Sequence, residues 1–158
     1  MCFKLPEKPF RNRQGGFSLI EIMAVMLIIA ILVAIAIPMY TRFITGARET
    51  AAVSYLNLVK KSEEVYKADS SLVLYSGSFD ELETSGILPS STGAATRVVN
   101  DYTFTITAGV NAGEPFWQAY AEPNIDPSKS KWFYADQTGV IRYSTGAAAT
   151  AISPPFTK

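Results

Sequence analysis

Residues Phe17–Met39 read FSLIEIMAVMLIIAILVAIAIPM, and Glu21 is the one charged residue in the stretch. A helix needs about 20 predominantly apolar residues to cross the hydrocarbon core of a bilayer, so this run is long enough to span a membrane. An ionisable side chain in such a helix costs about 2.5–3.5 kcal/mol near mid-bilayer and by default marks a function with a partner. What Glu21 pairs with is therefore the first question this chain raises.

Ahead of the run, residues 1–16 carry Lys4, Lys8, Arg11 and Arg13 against Glu7. A basic flank is retained in the cytoplasm while the following helix crosses the membrane. A secretory signal has a shorter apolar core, about 7–15 residues, with its small-residue cleavage site after that core. Here the small pair Gly15-Gly16 precedes the apolar run. Cleavage after Gly16 would remove residues 1–16 and leave the membrane helix on the mature protein.

Gly16-Phe17-Ser18-Leu19-Ile20-Glu21 resembles the processing motif of type IV pilins and of the pseudopilins of type II secretion, and Pro38 fits the same pattern. The resemblance covers residues 11–43 closely and the remainder loosely. It implies cleavage between Gly16 and Phe17 by a prepilin peptidase, N-methylation of Phe17, and passage through an inner-membrane assembly platform into a helical filament of identical or homologous subunits.

Physical chemistry gives the motif a reason. Once freed, the Phe17 amine has a reference pKa of about 7.7–8.0 and is mostly charged at neutral pH. Glu21 carries the opposite charge one helical turn away. Among packed apolar helices, one chain's amine and a neighbour's carboxylate about 4 Å apart attract by roughly 4 kcal/mol at an effective dielectric of about 20. Desolvation offsets much of this, so the pair sets axial register more than it adds stability. The simpler alternative is that Glu21 neutralises its own chain's amine or lies at headgroup level.

Beyond Pro38, which removes a backbone donor and should bend or melt the helix locally, the helical pattern continues. Phe43, Ile44, Ala47, Ala51, Tyr55, Leu58, Ser62, Val65 and Tyr66 recur every three or four residues, with Arg48, Glu49, Lys60, Lys61, Glu63, Glu64 and Lys67 on the other faces. This is an amphipathic stripe, predicted to run to about Ala68 and weakened slightly at Gly46. The aromatics Phe17, Tyr40, Phe43, Tyr55 and Tyr66 have the spacing that core packing requires; a chain of rings carrying electrons is the rival reading.

Residues 69–101 read as loop, rich in Ser, Gly and Thr, with a short helix near Phe79–Leu82 and a turn at Leu88-Pro89. Strand patterns follow at Tyr102–Ala108, Phe116–Glu122, Lys131–Ala135 and Val140–Ser144, and Asp136-Gln137-Thr138-Gly139 reads as the turn of a hairpin. The pairing of the WQAYAEP stretch with WFYADQTGVIRYS also resembles, more loosely, the C-terminal sheet of many pilin-like proteins. The tail 145–158, with Pro154-Pro155, should be irregular. The expected fold is α+β: a long N-terminal helix, membranous over 17–40 and amphipathic over 41–68, packed on an antiparallel sheet of about four strands spanning 102–144.

Composition excludes much. Basic and acidic residues balance at 14 each, and once the leader is removed acids outnumber bases, so no broad basic field for nucleic acid is present. There is no histidine, and Cys2, the single cysteine, leaves with the leader. The mature chain thus lacks the usual proton shuttle and the thiolate nucleophile, and it has no disulfide, so its last segment must be held by packing or by neighbours. An enzyme is not expected, nor a metal or cofactor. Asp101, Asp126 and Asp136 would offer oxygen ligands for calcium, as in some pseudopilins, but turn-forming aspartates explain them more simply. Arg142 should pair with a surface acid. Loops at 84–96 would suit adhesive contacts.

The sequence therefore points to a filament subunit, made as a single-pass inner-membrane precursor in contact with lipid and then assembled into an extracellular pilus for adhesion, twitching motility or DNA uptake. The alternatives are a periplasmic pseudopilus subunit acting in protein export, and a membrane-anchored periplasmic binding domain that never polymerises.

Overall fold

The computed structural model describes residues 16–70, 73–84, 86–89 and 95–157. Most of the expected leader, with Cys2, and part of the Ser/Thr-rich stretch at 84–96 lie outside these residues. The chain divides into two compact units, one up to Thr41 and one from Arg42 onward.

Helix α1, Leu19–Asp69, is 51 residues long and contributes to both units. It runs through Pro38 without interruption. In the first unit, from Leu19 to Met39, its side chains are exposed on every face. This is what a helix apolar all round looks like when its burial must come from lipid or from other helices. By length and composition it is able to cross a membrane.

The second unit is an α+β domain. Short helix α2, Phe79–Glu83, is followed by five strands: β1 Thr96–Val99, β2 Tyr102–Asn111, β3 Glu114–Pro123, β4 Lys131–Asp136 and β5 Arg142–Thr145. They form one antiparallel sheet in the order β1-β2-β3-β4-β5. Two of the tight turns use left-handed backbone at both central residues, Asn100-Asp101 between β1 and β2 and Ala112-Gly113 between β2 and β3. That conformation matches the twist of the strands it joins.

One face of the sheet is the core. Tyr102, Phe104 and Ile106 of β2, Trp117, Ala119 and Ala121 of β3, and Phe133 and Ala135 of β4 are buried with Ala52, Tyr55, Leu56 and Val59 of α1 and with Phe79 and Leu82 of α2. Cross-strand partners alternate bulky with small: Phe104 lies opposite Ala121, and Ala121 opposite Phe133. The Tyr55 and Phe104 rings meet at 4.5 Å between centroids, inside the range of favourable aromatic pairs.

Several expectations are corrected. The stretch read as loop 69–101 contains β1, which makes the sheet five-stranded rather than about four. The buried face of α1 is rotated from the expected stripe: Ala52, Tyr55, Leu56, Val59, Ser62 and Glu63 are inward, whereas Phe43 and Ala47 are exposed. Glu63, read as a polar-face residue, is wholly buried. Of the five helix aromatics read as packing, Tyr55 is buried and Tyr66 half-buried, but Phe17, Tyr40 and Phe43 are exposed.

The tail is irregular yet docked. Pro155 bridges Arg142, the Tyr143 N–H donates to the Pro154 carbonyl at 3.0 Å, and the Phe156 N–H donates to the Ile141 carbonyl at 2.8 Å. The Phe156 ring meets Phe133 and Tyr143 edge-on. Arg142 donates to the Ser153 carbonyl at 2.9 Å rather than to the expected surface acid.

Candidate functional site

The motif residues stand where helix α1 begins. Gly16, Phe17 and Ser18 are non-helical and exposed, and α1 starts at Leu19. The Ser18 carbonyl accepts the N–H groups of Glu21 and Ile22 at 3.1 and 3.3 Å, and the Ser18 Oγ also accepts the Glu21 N–H at 3.3 Å. Ser18 is thus the N-cap and Glu21 the third helical residue, the S-x-x-E spacing of a capping box. The Glu21 carboxylate, in the first turn, also sits at the positive end of the helix dipole. Sequence reasoning missed the Ser18–Glu21 relation, for which that spacing was the signal.

A Cβ built on Gly16 would meet nothing within 4 Å. Nothing among the described residues demands glycine there. Phe17 is 79% exposed, and the apolar side chains of Leu19–Met39 continue that surface. Pro38 lies near the far end of the surface; its carbonyl accepts the Thr41 hydroxyl at 3.0 Å. The site is therefore an exposed aromatic residue just ahead of the helix, an acid one turn later, and a helix apolar on all sides. Such an arrangement suits association between helices.

Of the three aspartates weighed for calcium, Asp101 and Asp136 are engaged through their carboxylates and Asp126 through its backbone. Asp101 pairs with Arg48 at 2.9 Å, Asp126 opens a turn whose carbonyl accepts the Lys129 and Ser130 N–H groups, and Asp136 Oδ1 accepts the Thr138 N–H. Among the described residues no group of three His, Cys, Asp or Glu is placed to hold a metal ion.

Polar links that sequence reasoning missed fasten the second unit together. Arg97 of β1, buried, pairs with Glu83 of α2 and donates to the Tyr55 hydroxyl of α1 at 3.1 Å. Lys131 of β4 reaches Glu49 of α1 at 2.8 Å and lies near the Tyr143 and Phe156 rings. Lys60 donates to the Gly139 carbonyl at 3.2 Å.

Residues 11–37 match the family model of the prokaryotic N-terminal methylation motif. Two fimbrial proteins of Pseudomonas aeruginosa are each 47% identical over 51 residues, which is 32% of this chain and 33% of theirs. The chain thus matches about a third of the length of these curated relatives. No solved structure matches it.

Proposed function

From the match of its N-terminal segment to the methylation motif and to fimbrial proteins, we propose that the chain is a type IV pilin, the structural subunit of an extracellular helical pilus. Prepilin peptidase cuts between Gly16 and Phe17, and the new Phe17 amine is methylated. The match of residues 11–37 to the methylation motif supports this, and no described residue crowds Gly16. The basic flank Lys4, Lys8, Arg11 and Arg13 keeps the N-terminus cytoplasmic while the precursor spans the inner membrane.

The observation that carries the proposal is the exposed apolar helix from Leu19 to Met39 with a single acid in its first turn. On extraction from lipid that surface is buried among identical helices, and Glu21 meets the Phe17 amine of a neighbour. Pro38 supplies a bend where the apolar half ends. Contacts that are head-to-tail and do not close produce a helical polymer. The fimbrial relatives favour a pilus over a secretion pseudopilus, and the pilus serves adhesion, motility or DNA uptake without chemistry of its own.

Mass spectrometry of the assembled protein tests this directly. The expected mass corresponds to a chain starting at methylated Phe17. A membrane-bound chain that still starts at Met1 in cells making the processing enzyme would overturn it.

A further inference from the structure

Glu63 is the acid that the assembly motif leaves unexplained. Its side chain is wholly buried on the inner face of α1. Its Oε2 accepts the Ser76 N–H at 2.9 Å, while its Oε1 is buried with no hydrogen-bond partner among the described residues. Ser76 passes the link onward, donating from its Oγ to Glu81 Oε2 of α2 at 2.6 Å and accepting the Ser78 N–H at 3.0 Å. One carboxyl thus ties α1 to the segment that leads into α2.

The charges acting on Glu63 are Glu64 of its own helix and Glu81 of α2, both acidic. Lys67, one helical turn further on, donates to the Tyr75 hydroxyl at 3.1 Å, and Tyr66 of α1 also faces Glu63 and Glu81. A buried carboxylate with one oxygen unpaired and two acids acting on it is strongly disfavoured; the protonated acid is neutral and tolerable. Just ahead of the attached segment, Val73, a β-branched residue, holds a strained φ of +56°.

We propose that Glu63 is a proton-gated latch: protonated, it fastens the Tyr75–Glu83 segment to α1, and ionisation of its carboxyl releases that segment. Burial, and then Glu64 and Glu81, push its pKa up to about 8, against the pull of the Ser76 N–H. Once the segment opens, the carboxyl is hydrated and its pKa returns to about 4.3. The latch is therefore at full strength below that value and weakens as pH rises through the closed-state value. Linkage makes the opening constant rise about tenfold per pH unit across this window and level off above it.

The experiment uses the full chain in detergent micelles, digested with limiting chymotrypsin from pH 6 to 9.5. Rates are normalised to a small peptide substrate, and cuts after Tyr75 and Phe79 are mapped by mass. The expected rate of these cuts rises about tenfold per pH unit and flattens above pH 8 in the wild type, and stays low and flat in Glu63→Gln. A flat wild-type profile, or the same rise in Glu63→Gln, overturns the latch. Should Glu63→Gln fail to fold, a carboxyl carbon-13 titration of the wild type decides. One glutamate titrating near pH 8 and assigned to Glu63 supports the latch, whereas all glutamates titrating below about pH 6 refutes it.

Discussion

The Arg97 guanidinium, on the edge strand β1, donates to the Tyr55 hydroxyl on α1 at 3.1 Å while pairing with Glu83 of α2. One buried cation thereby joins three elements that are distant in sequence. Removing one partner of a buried ion pair leaves the other charge uncompensated and costs about 3–5 kcal/mol. Arg97→Ala should lower stability by that amount, read as a fall in urea midpoint with unchanged slope. A loss under about 0.5 kcal/mol would show that the three elements hold together without it.

The docked tail yields a second expectation. Burying a phenylalanine ring is worth about 1.5–3 kcal/mol, and Phe156 is half-buried against Phe133 and Tyr143. Phe156→Ala should cost about 1–2 kcal/mol and make the last residues susceptible to carboxypeptidase. A tail that resists digestion in this variant would place its anchor in the backbone bonds to Ile141 and Tyr143 instead.

Two glycines separate conformational from steric demand. Gly113 and Gly146 both have positive φ, but a Cβ on Gly113 meets open space, whereas one on Gly146 lies 2.8 Å from the Ser128 carbonyl oxygen. Left-handed backbone alone costs a residue with a side chain about 1–2 kcal/mol. Gly113→Ala should lose about that much and Gly146→Ala distinctly more, with calorimetric melting as the measure. Equal losses would show that the Ser128 turn yields.

Glu63 also makes overall stability depend on pH. Its folded pKa, about 8, lies above its unfolded value, so the unfolded chain releases the proton first as pH rises. The contribution is complete in acid and falls by at most about 1.4 kcal/mol per pH unit up to the folded value. Glu63→Gln should be more stable than wild type by about 3–4 kcal/mol at pH 7 and no more stable at pH 4. Parallel stability curves for the two proteins would refute this.

Glu21→Ala should leave the precursor inserted in the membrane and lower the yield of sheared filaments. Normal filament yield would assign Glu21 to its visible place at the start of α1, next to the Ser18 cap, and nothing more.

What the sequence disclosed and what it hid have physical causes. The apolar run is uniform, and the alternation of Tyr102, Phe104 and Ile106 with threonines marks a half-buried strand, so the helix and central sheet were legible. Strand β1 was not, because its inward residue is Arg97 and its length is four residues; the Asn100-Asp101 pair, both left-handed, was the available signal. The helix face came out rotated because Glu63 points inward, against its polarity. Arg142 was assigned an acid when a carbonyl of the returning tail satisfies it. The motif at Gly16, Phe17 and Glu21 was legible as a pattern, and the Ser18 cap beside it was written in the S-x-x-E spacing although sequence reasoning passed over it.

The bridge between Arg142 and Pro155 seals one margin of the sheet. An open strand border invites zipping to any neighbouring chain, yet here the bordering segment contributes two prolines, which have no N–H to offer. In the filament proposed above, crowded domains would be unable to fuse by annealing strands along that rim. They would recognise one another through side chains there, and each would stay separately folded.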